Sequence, residues 1–370
     1  MKLKKILSFL LNLIVIFLIV IILLEILLNF FPVRESSNSL KQTKKRILHF
    51  EPNREFLWSN GPFFSIKSIK KSNNYGFLSD YDYAKEKSDI LVIGDSFVEA
   101  MQVDNKKTFH HLLAKKKSLN IYSLGHSSSQ LAQYYKYAQW GVKEFKPRLI
   151  IYSIISNDYL DSLVSKNKYI FDLNSEKLIL NNDLDSKRTN LEKIISGDSN
   201  IKKILKKSAL VRYLIFNLNV KGRLNWIINK NKNGDNLYVA NSPISVSSSE
   251  MRKAKKVVDL FIKLNKKFLN QNIKIIFVFD GFRNEIYEGV YEKDQVLNSY
   301  PYKIRNYFIN ESYKNQFLVI DLQEYFLKDY LKNQKRFDFI DDFHWNERGH
   351  KIVFKAIDEK LTKDLFLFND

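Results

Sequence analysis

The chain has no cysteine among its 370 residues. This excludes disulfide frameworks, thiol nucleophiles and cysteine-ligated metals, and it leaves the compartment open. Acidic residues are in the minority, 40 against 60 Lys and Arg, for a formal net charge of +20. The lysines are dispersed among acidic residues and no nucleic-acid motif accompanies them. We therefore read a solvated basic surface and expect no nucleic-acid partner. Attraction to an anionic envelope polymer or a lipid headgroup stays open. Internal repeats are absent, and only one apolar run exceeds the length of a buried strand. With 45% hydrophobic residues, the remainder has the composition of a globular protein large enough for one α/β domain with an insertion.

That one run follows Met1-Lys2-Leu3-Lys4-Lys5. It extends from Ile6 to Leu24, broken only by Ser8 and Asn12, and continues past Glu25 to Phe31. At 1.5 Å per residue, Ile6–Leu24 covers about 28 Å, close to the hydrocarbon core of about 30 Å. It reads as a transmembrane helix with Glu25 at the far interface. No small-residue cleavage site follows, so an uncleaved anchor is expected. Lys2, Lys4 and Lys5 favour a cytoplasmic N-terminus. Arg34, Lys41, Lys44, Lys45 and Arg46 nearly balance them. The short tail and large following domain favour a single pass with the domain on the extracytoplasmic side.

The expected organisation is residues 1–32 as tail and anchor, 33–72 as a polar stalk, and 73–370 as the main domain with an insertion at about 160–270. Apolar strands are expected at Asp89–Ile93, Asn120–Leu124, Arg148–Ile155, Ile273–Phe279 and Phe317–Asp321. Helices are expected at Thr108–Ala114, Gln130–Phe145, Ser247–Gln271, Tyr302–Tyr313 and about Gly349–Leu365. Tyr169–Leu180 suggests a hairpin, and Leu191–Asn231 reads as mostly helical. Strands alternating with helices imply a parallel sheet covered on both faces.

In such sheets ligands bind at the carboxyl ends of the strands. Polar clusters stand at three expected strand ends: Gly94-Asp95-Ser96, Gly125-His126-Ser127 and Asn157-Asp158. A fourth, Asp341-Asp342-Phe343-His344-Trp345-Asn346, precedes the last helix. Together they supply what acyl transfer needs. Ser96 offers the nucleophilic hydroxyl and His344 the base. Asp342 or Asp341 offers the carboxylate that orients the imidazole. The backbone N–H groups of Ser96 and Gly125, with the Asn157 amide, offer oxyanion donors. Glycine at 125 would allow close approach of the backbone to substrate.

These four blocks, in this order, resemble the GDSL/SGNH hydrolase family. Asn73-Asn74-Tyr75-Gly76-Phe77 before the first strand, and Glu99-Ala100-Met101-Gln102-Val103 after the serine, are similar to its membrane-anchored bacterial members. The resemblance covers roughly 73–160 and 270–360. It implies a flavodoxin-like three-layer α/β/α fold around a mostly parallel five-stranded sheet, with no cofactor or metal. Two positions depart from the family pattern without removing a catalytic group: Ser123 stands where the second block often starts with Asn, and Ser156 replaces the Gly that often precedes Asn157. Asp-x-His-Trp-Asn followed by Gly-His favours Asp342 over Asp341 as the acid.

Other polar residues carry plainer readings. Gly-Asp-Ser alone often marks only a turn. His350 is expected to be structural, His110 and His111 to belong to the helix after the serine, and Asp158 and Asp161 to cap the chain after the third strand. His126 is a candidate for lining the site. Tyr134, Tyr135, Tyr137 and Trp140 read as one helix's core and surface. The expectation is a serine esterase acting on an acyl ester of an envelope glycan or lipid. The alternatives are an O-acyltransferase modifying an envelope polysaccharide, or a non-catalytic polymer-binding protein on the same fold.

Overall fold

The computed structural model describes residues 2–35, 41–42, 47–155, 158–163, 169–181, 207–220, 247–288, 299–340 and 342–364. They fall into two compact units. The larger comprises Ser39–Glu55, Lys70–Lys187 and Leu237–Asp370, the smaller Met1–Asn38, Phe56–Ile69 and Arg188–Asn236.

The larger unit is built on five strands: β1 (Ile90–Gly94), β2 (Ile121–Gly125), β3 (Leu149–Ile154), β4 (Lys274–Phe279) and β5 (Leu318–Asp321). They lie in the order β2-β1-β3-β4-β5, and every neighbouring pair is parallel. The strands are almost wholly apolar because both faces are covered. Leu91, Ile93, Tyr122, Leu124, Ile150, Tyr152, Phe277 and Phe279 join one core, and Ile90, Val92, Ile121, Leu149, Ile151, Ile276 and Val278 join the other. This is the period-two alternation of a strand read from both sides. Helices Leu131–Phe145, Ser248–Leu269 and Tyr300–Lys314 bury residues in the first core. Helices Phe109–Lys117, Leu322–Asn333 and Glu347–Asp364 do so in the second. The fold is the expected three-layer α/β/α sandwich. Its order reverses between β1 and β3, and that switch point opens the crevice where α/β sheets bind ligands.

Element ends agree with the expectations to within a few residues. Ser247 caps its helix through a full capping box with Glu250, and a hairpin forms from Tyr169–Asp172 and Lys177–Leu180. The helix Leu322–Asn333 was not expected. Of the reading of Leu191–Asn231 as helical, only 207–220 lies within the described residues, where Ala209–Arg212 is α-helical and Tyr213–Asn217 forms a π turn.

The smaller unit holds the apolar helix Lys2–Leu28, most of a hairpin formed by Glu55–Asn60 and Ile66–Lys71, and residues 207–220. The segment read as a polar stalk thus contains a paired hairpin. Ser59 and Asn217 tie it together: Ser59 Oγ donates to Pro32 O at 2.7 Å, and Asn217 Nδ2 donates to Ser59 Oγ at 3.0 Å. Arg34 lies over both Trp58 and Phe216, 5.1 Å from each ring centre.

Candidate active site

β1 ends at Gly94, and the chain turns at once into the short helix Ser96–Glu99. Asp95 caps that helix, its carboxylate accepting from Phe97 N at 2.9 Å. Ser96 is therefore the first helical residue, and its N–H lacks an intrahelical acceptor. The turn is tight because two glycines in register make room for it, Gly94 on β1 and Gly125 on β2. A Cβ on Gly125 would lie 2.4 Å from Glu99 N, and one on Gly94 2.4 Å from Val98 Cγ2. Glycine at 125 is thus required by the Ser96–Glu99 turn packed on it, a reason internal to the fold rather than one that needs a substrate.

The second loop runs from Asp338 to Asn346. An antiparallel bridge pairs Asp338 with Trp345. Inside it Phe339 N donates to His344 O at 3.0 Å and Phe343 N to Phe339 O at 2.7 Å. Phe343 takes a left-handed conformation, φ 62°, which is costly for an aromatic residue and needs support from its surroundings. Asn346 closes the loop: its Oδ1 accepts from Arg348 N and Gly349 N, and its Nδ2 donates to Arg336 O and Asp338 O.

The two loops meet at the expected side chains. His344 Nε2 lies 2.7 Å from Ser96 Oγ, and His344 Nδ1 lies 2.5 Å from Asp342 Oδ1. A carboxylate only accepts, so Nδ1 carries the proton and Nε2 accepts from the serine hydroxyl. The ring rests on Phe97 at 4.6 Å between centres. Burial lowers the His344 pKa, but the hydrogen bond and charge of Asp342, helped by the charge of Asp95, outweigh it, so the net shift is upward. The arrangement can draw a proton from the serine as its oxygen attacks and hold the resulting imidazolium.

Of the other expected site residues, Asn157 and the alternative acid Asp341 lie outside the described residues. Asp158 caps its turn as expected, accepting from Ile155 N at 2.8 Å and from Tyr134 OH at 3.0 Å. The side chain of Asp161 is not described. His126 N donates to Gly94 O at 3.2 Å, while its buried ring stacks on Phe50. His350 is buried between Phe109 and Trp345. His110 sits under the nucleophile helix with Nε2 3.3 Å from Val98 O, its pKa lowered to about 3 by burial.

Three supports went unread in the sequence. Gln102 Nε2 donates to Asp342 Oδ1 at 2.8 Å, so the segment after Ser96 also holds Asp342. Glu99, buried, accepts from both N and Oγ of Ser127 and ties the nucleophile helix to the loop after β2; burial pushes its pKa up to about 8. Lys70 Nζ, also buried, donates to Ala100 O and Val103 O at 2.8 Å each, and burial brings its pKa down to about 7. A further cluster stands at the end of β4. Asp280 Oδ1 accepts from Trp345 Nε1 at 3.0 Å, and its Oδ2 pairs with Arg283. Arg283 lies 3.6 Å from Asp338, donates to Phe343 O at 3.3 Å, and faces the Phe97 ring. The one sequence signal for it was Asp280-Gly281 standing at a strand end.

Residues 90–357 match the profile of the family described as GDSL-like Lipase/Acylhydrolase. The chain belongs to that family. The family's chemistry is ester hydrolysis, and the matched span holds both loops that form the site. Among solved structures, the chain is similar to a member of the lipolytic G-D-S-L family from Veillonella parvula (11% identity, TM-score 0.37, covering 74% of this chain and 98% of that one). It is also similar to the acetyl xylan esterase AlAXEase (14% identity, TM-score 0.38, covering 74% and 99%). A third is LAE5, an alpha/beta hydrolase enzyme from the metagenome of Lake Arreo, Spain (11% identity, TM-score 0.36, covering 74% and 94%). No curated protein matches the chain.

Proposed function

We propose that this GDSL-family protein is a membrane-anchored serine esterase that works through an acyl-enzyme on Ser96. The observation that carries the reading is the unbroken chain from Ser96 Oγ to His344 Nε2 and from Nδ1 to Asp342. Ser96 Oγ attacks the ester carbonyl while its proton passes to His344 Nε2. The tetrahedral oxyanion is held by the N–H groups of Ser96 and Gly125 and by the Asn157 amide. His344 then protonates the leaving alcohol. Water, deprotonated by the same imidazole, releases the acid and restores the serine. A sugar hydroxyl in place of that water makes the same intermediate an acyl donor. Asp342 is the acid of this reading, since the short bond to His344 is its own.

The apolar helix Lys5–Leu28, 24 residues long, supports an anchor. Lys2, Lys4 and Lys5 at its start favour a cytoplasmic N-terminus and an extracytoplasmic catalytic unit. An enzyme held there meets esters of envelope glycans or lipids. The test is hydrolysis of p-nitrophenyl acetate by full-length protein in detergent or liposomes. A burst of nitrophenol equal to the enzyme concentration, abolished in Ser96→Ala, is expected. Unchanged turnover in Ser96→Ala would remove the nucleophile from this account. With a glycan acceptor present, acetylated acceptor instead of acetate would identify transfer.

A further inference from the structure

The smaller unit leaves apolar side chains in the open where a soluble module would cover them. Phe30 is 83% exposed, Phe63 at the hairpin tip 89%, and Ile215 in the π turn 56%. Phe31 and Leu214 are exposed beside them. Scattered singly, such residues need no explanation, as with Leu331 of the larger unit. These five come from three segments that are locked together. Phe31 stacks on Phe64 at 5.9 Å, Phe64 packs on Tyr213 at 5.8 Å, and Tyr213 OH donates to Pro62 O at 3.1 Å.

The lock begins inside the apolar helix. The Glu25 carboxylate accepts from Ser208 Oγ at 2.7 Å, Ala209 N at 2.8 Å and Leu210 N at 2.9 Å. A carboxylate near the end of an apolar helix is therefore occupied by the chain itself rather than by water alone. It seats 208–217 against the last turns of that helix, on a level with Phe30 and Phe31.

We infer that the smaller unit is a collar bedded in the lipid interface, with Phe30, Phe31, Phe63, Leu214 and Ile215 in the boundary between headgroups and acyl chains. The inference rests on reading Lys5–Leu28 as a membrane span. Continuity argues for lipid as the occupant: the exposed Ile26 and Leu27 of the helix's last turn run on to the exposed Phe30 and Phe31, with Asn29 the one polar side chain between them. Aromatic rings at the exit of a span are the side chains that this boundary favours.

Because the chain lacks cysteine, one introduced thiol carries one label. The experiment places a nitroxide at Phe63→Cys, Ile215→Cys and Ile16→Cys in full-length protein in phosphatidylcholine–phosphatidylglycerol liposomes, with retained esterase activity as the sign of folding. Collision rates with oxygen, which concentrates in lipid, and with a water-soluble nickel chelate are then compared. The collar predicts oxygen in excess at 63 and 215, less than at 16. Nickel in excess at 63 and 215 with oxygen in excess at 16 overturns the collar and leaves the anchor standing. Nickel in excess at all three overturns the anchor and the collar with it. Low rates with both reagents at 63 and 215 would mean a protein partner covers this face, and would equally refute lipid as its occupant.

Discussion

The two loops that meet between Ser96 and His344 are held by opposite means. The nucleophile loop is fitted by what is missing: glycine at 125 makes room for the main chain of Val98 and Glu99, glycine at 94 for the Val98 side chain, and an Asp cap ends the strand and starts the helix. The histidine loop is held by what is added. A buried arginine between two aspartates, an indole hydrogen bond to Asp280 and the two-ended Asn346 clamp a backbone with an aromatic residue at positive φ. A nucleophile turn that must leave space for a substrate is well served by small residues. A loop that must aim a side chain across a gap needs a scaffold.

The largest expected effect lies on the scaffolded side. Arg283→Met removes the cation beside Asp280 and leaves that carboxylate buried without its ion pair, while Asp338 keeps Arg336. Breaking a buried pair in this way costs about 3–5 kcal/mol. Chemical denaturation should show that loss, with activity falling as the loop slackens. Denaturation unchanged by the substitution would mean the cluster does not hold the loop. On the other side, Gly125→Ala places a methyl 2.4 Å from Glu99 N. Overpacking of this kind costs about 1–3 kcal/mol. The displaced serine should lose about 100-fold in kcat/KM. Full activity in Gly125→Ala would show that the turn has more slack than its packing implies.

The smallest and most discriminating effect is at Gln102, the contact between the two loops. His344 has a raised pKa and works as a base only when neutral. The acid limb of kcat/KM should therefore lie above the ordinary histidine value of about 6.5. Gln102→Leu withdraws a hydrogen bond from the Asp342 carboxylate, leaving more of its charge for the imidazolium. The limb should move to still higher pH, with a several-fold loss of rate corresponding to about 1 kcal/mol. A rate loss without any movement of the limb would assign Gln102 a structural role only.

The same contrast explains what was legible in the sequence. Strand ends, caps and the four blocks are local: Ile90–Gly94 followed by Asp95-Ser96 carries its own turn, and Asp342 stands two residues from His344. The five strands were legible because burial on both faces makes each a continuous apolar run. The scaffold was not legible because its partners are far apart in the chain. Gln102 reaches Asp342 across 240 positions, and Arg283 reaches Phe343 across 60. The hairpin at Glu55–Asn60 and Ile66–Lys71 was hidden for another reason. Its second strand, Ile66-Lys67-Ser68-Ile69-Lys70-Lys71, is rich in lysine and reads as a polar linker, although Lys70 is wholly buried. The helix Leu322–Asn333 follows β5 directly, with Asp321 as strand end and helix cap at once, so no loop announced it.

The central claim is that Ser96 is the attacking group, made reactive by His344. The most direct measurement is to treat the folded full-length protein with a fluorophosphonate and locate the adduct by peptide mass spectrometry. The account predicts one phosphonylated residue, Ser96, with labelling lost in Ser96→Ala and slowed in His344→Ala. An adduct on another residue, or labelling that persists at full rate in Ser96→Ala, would contradict it.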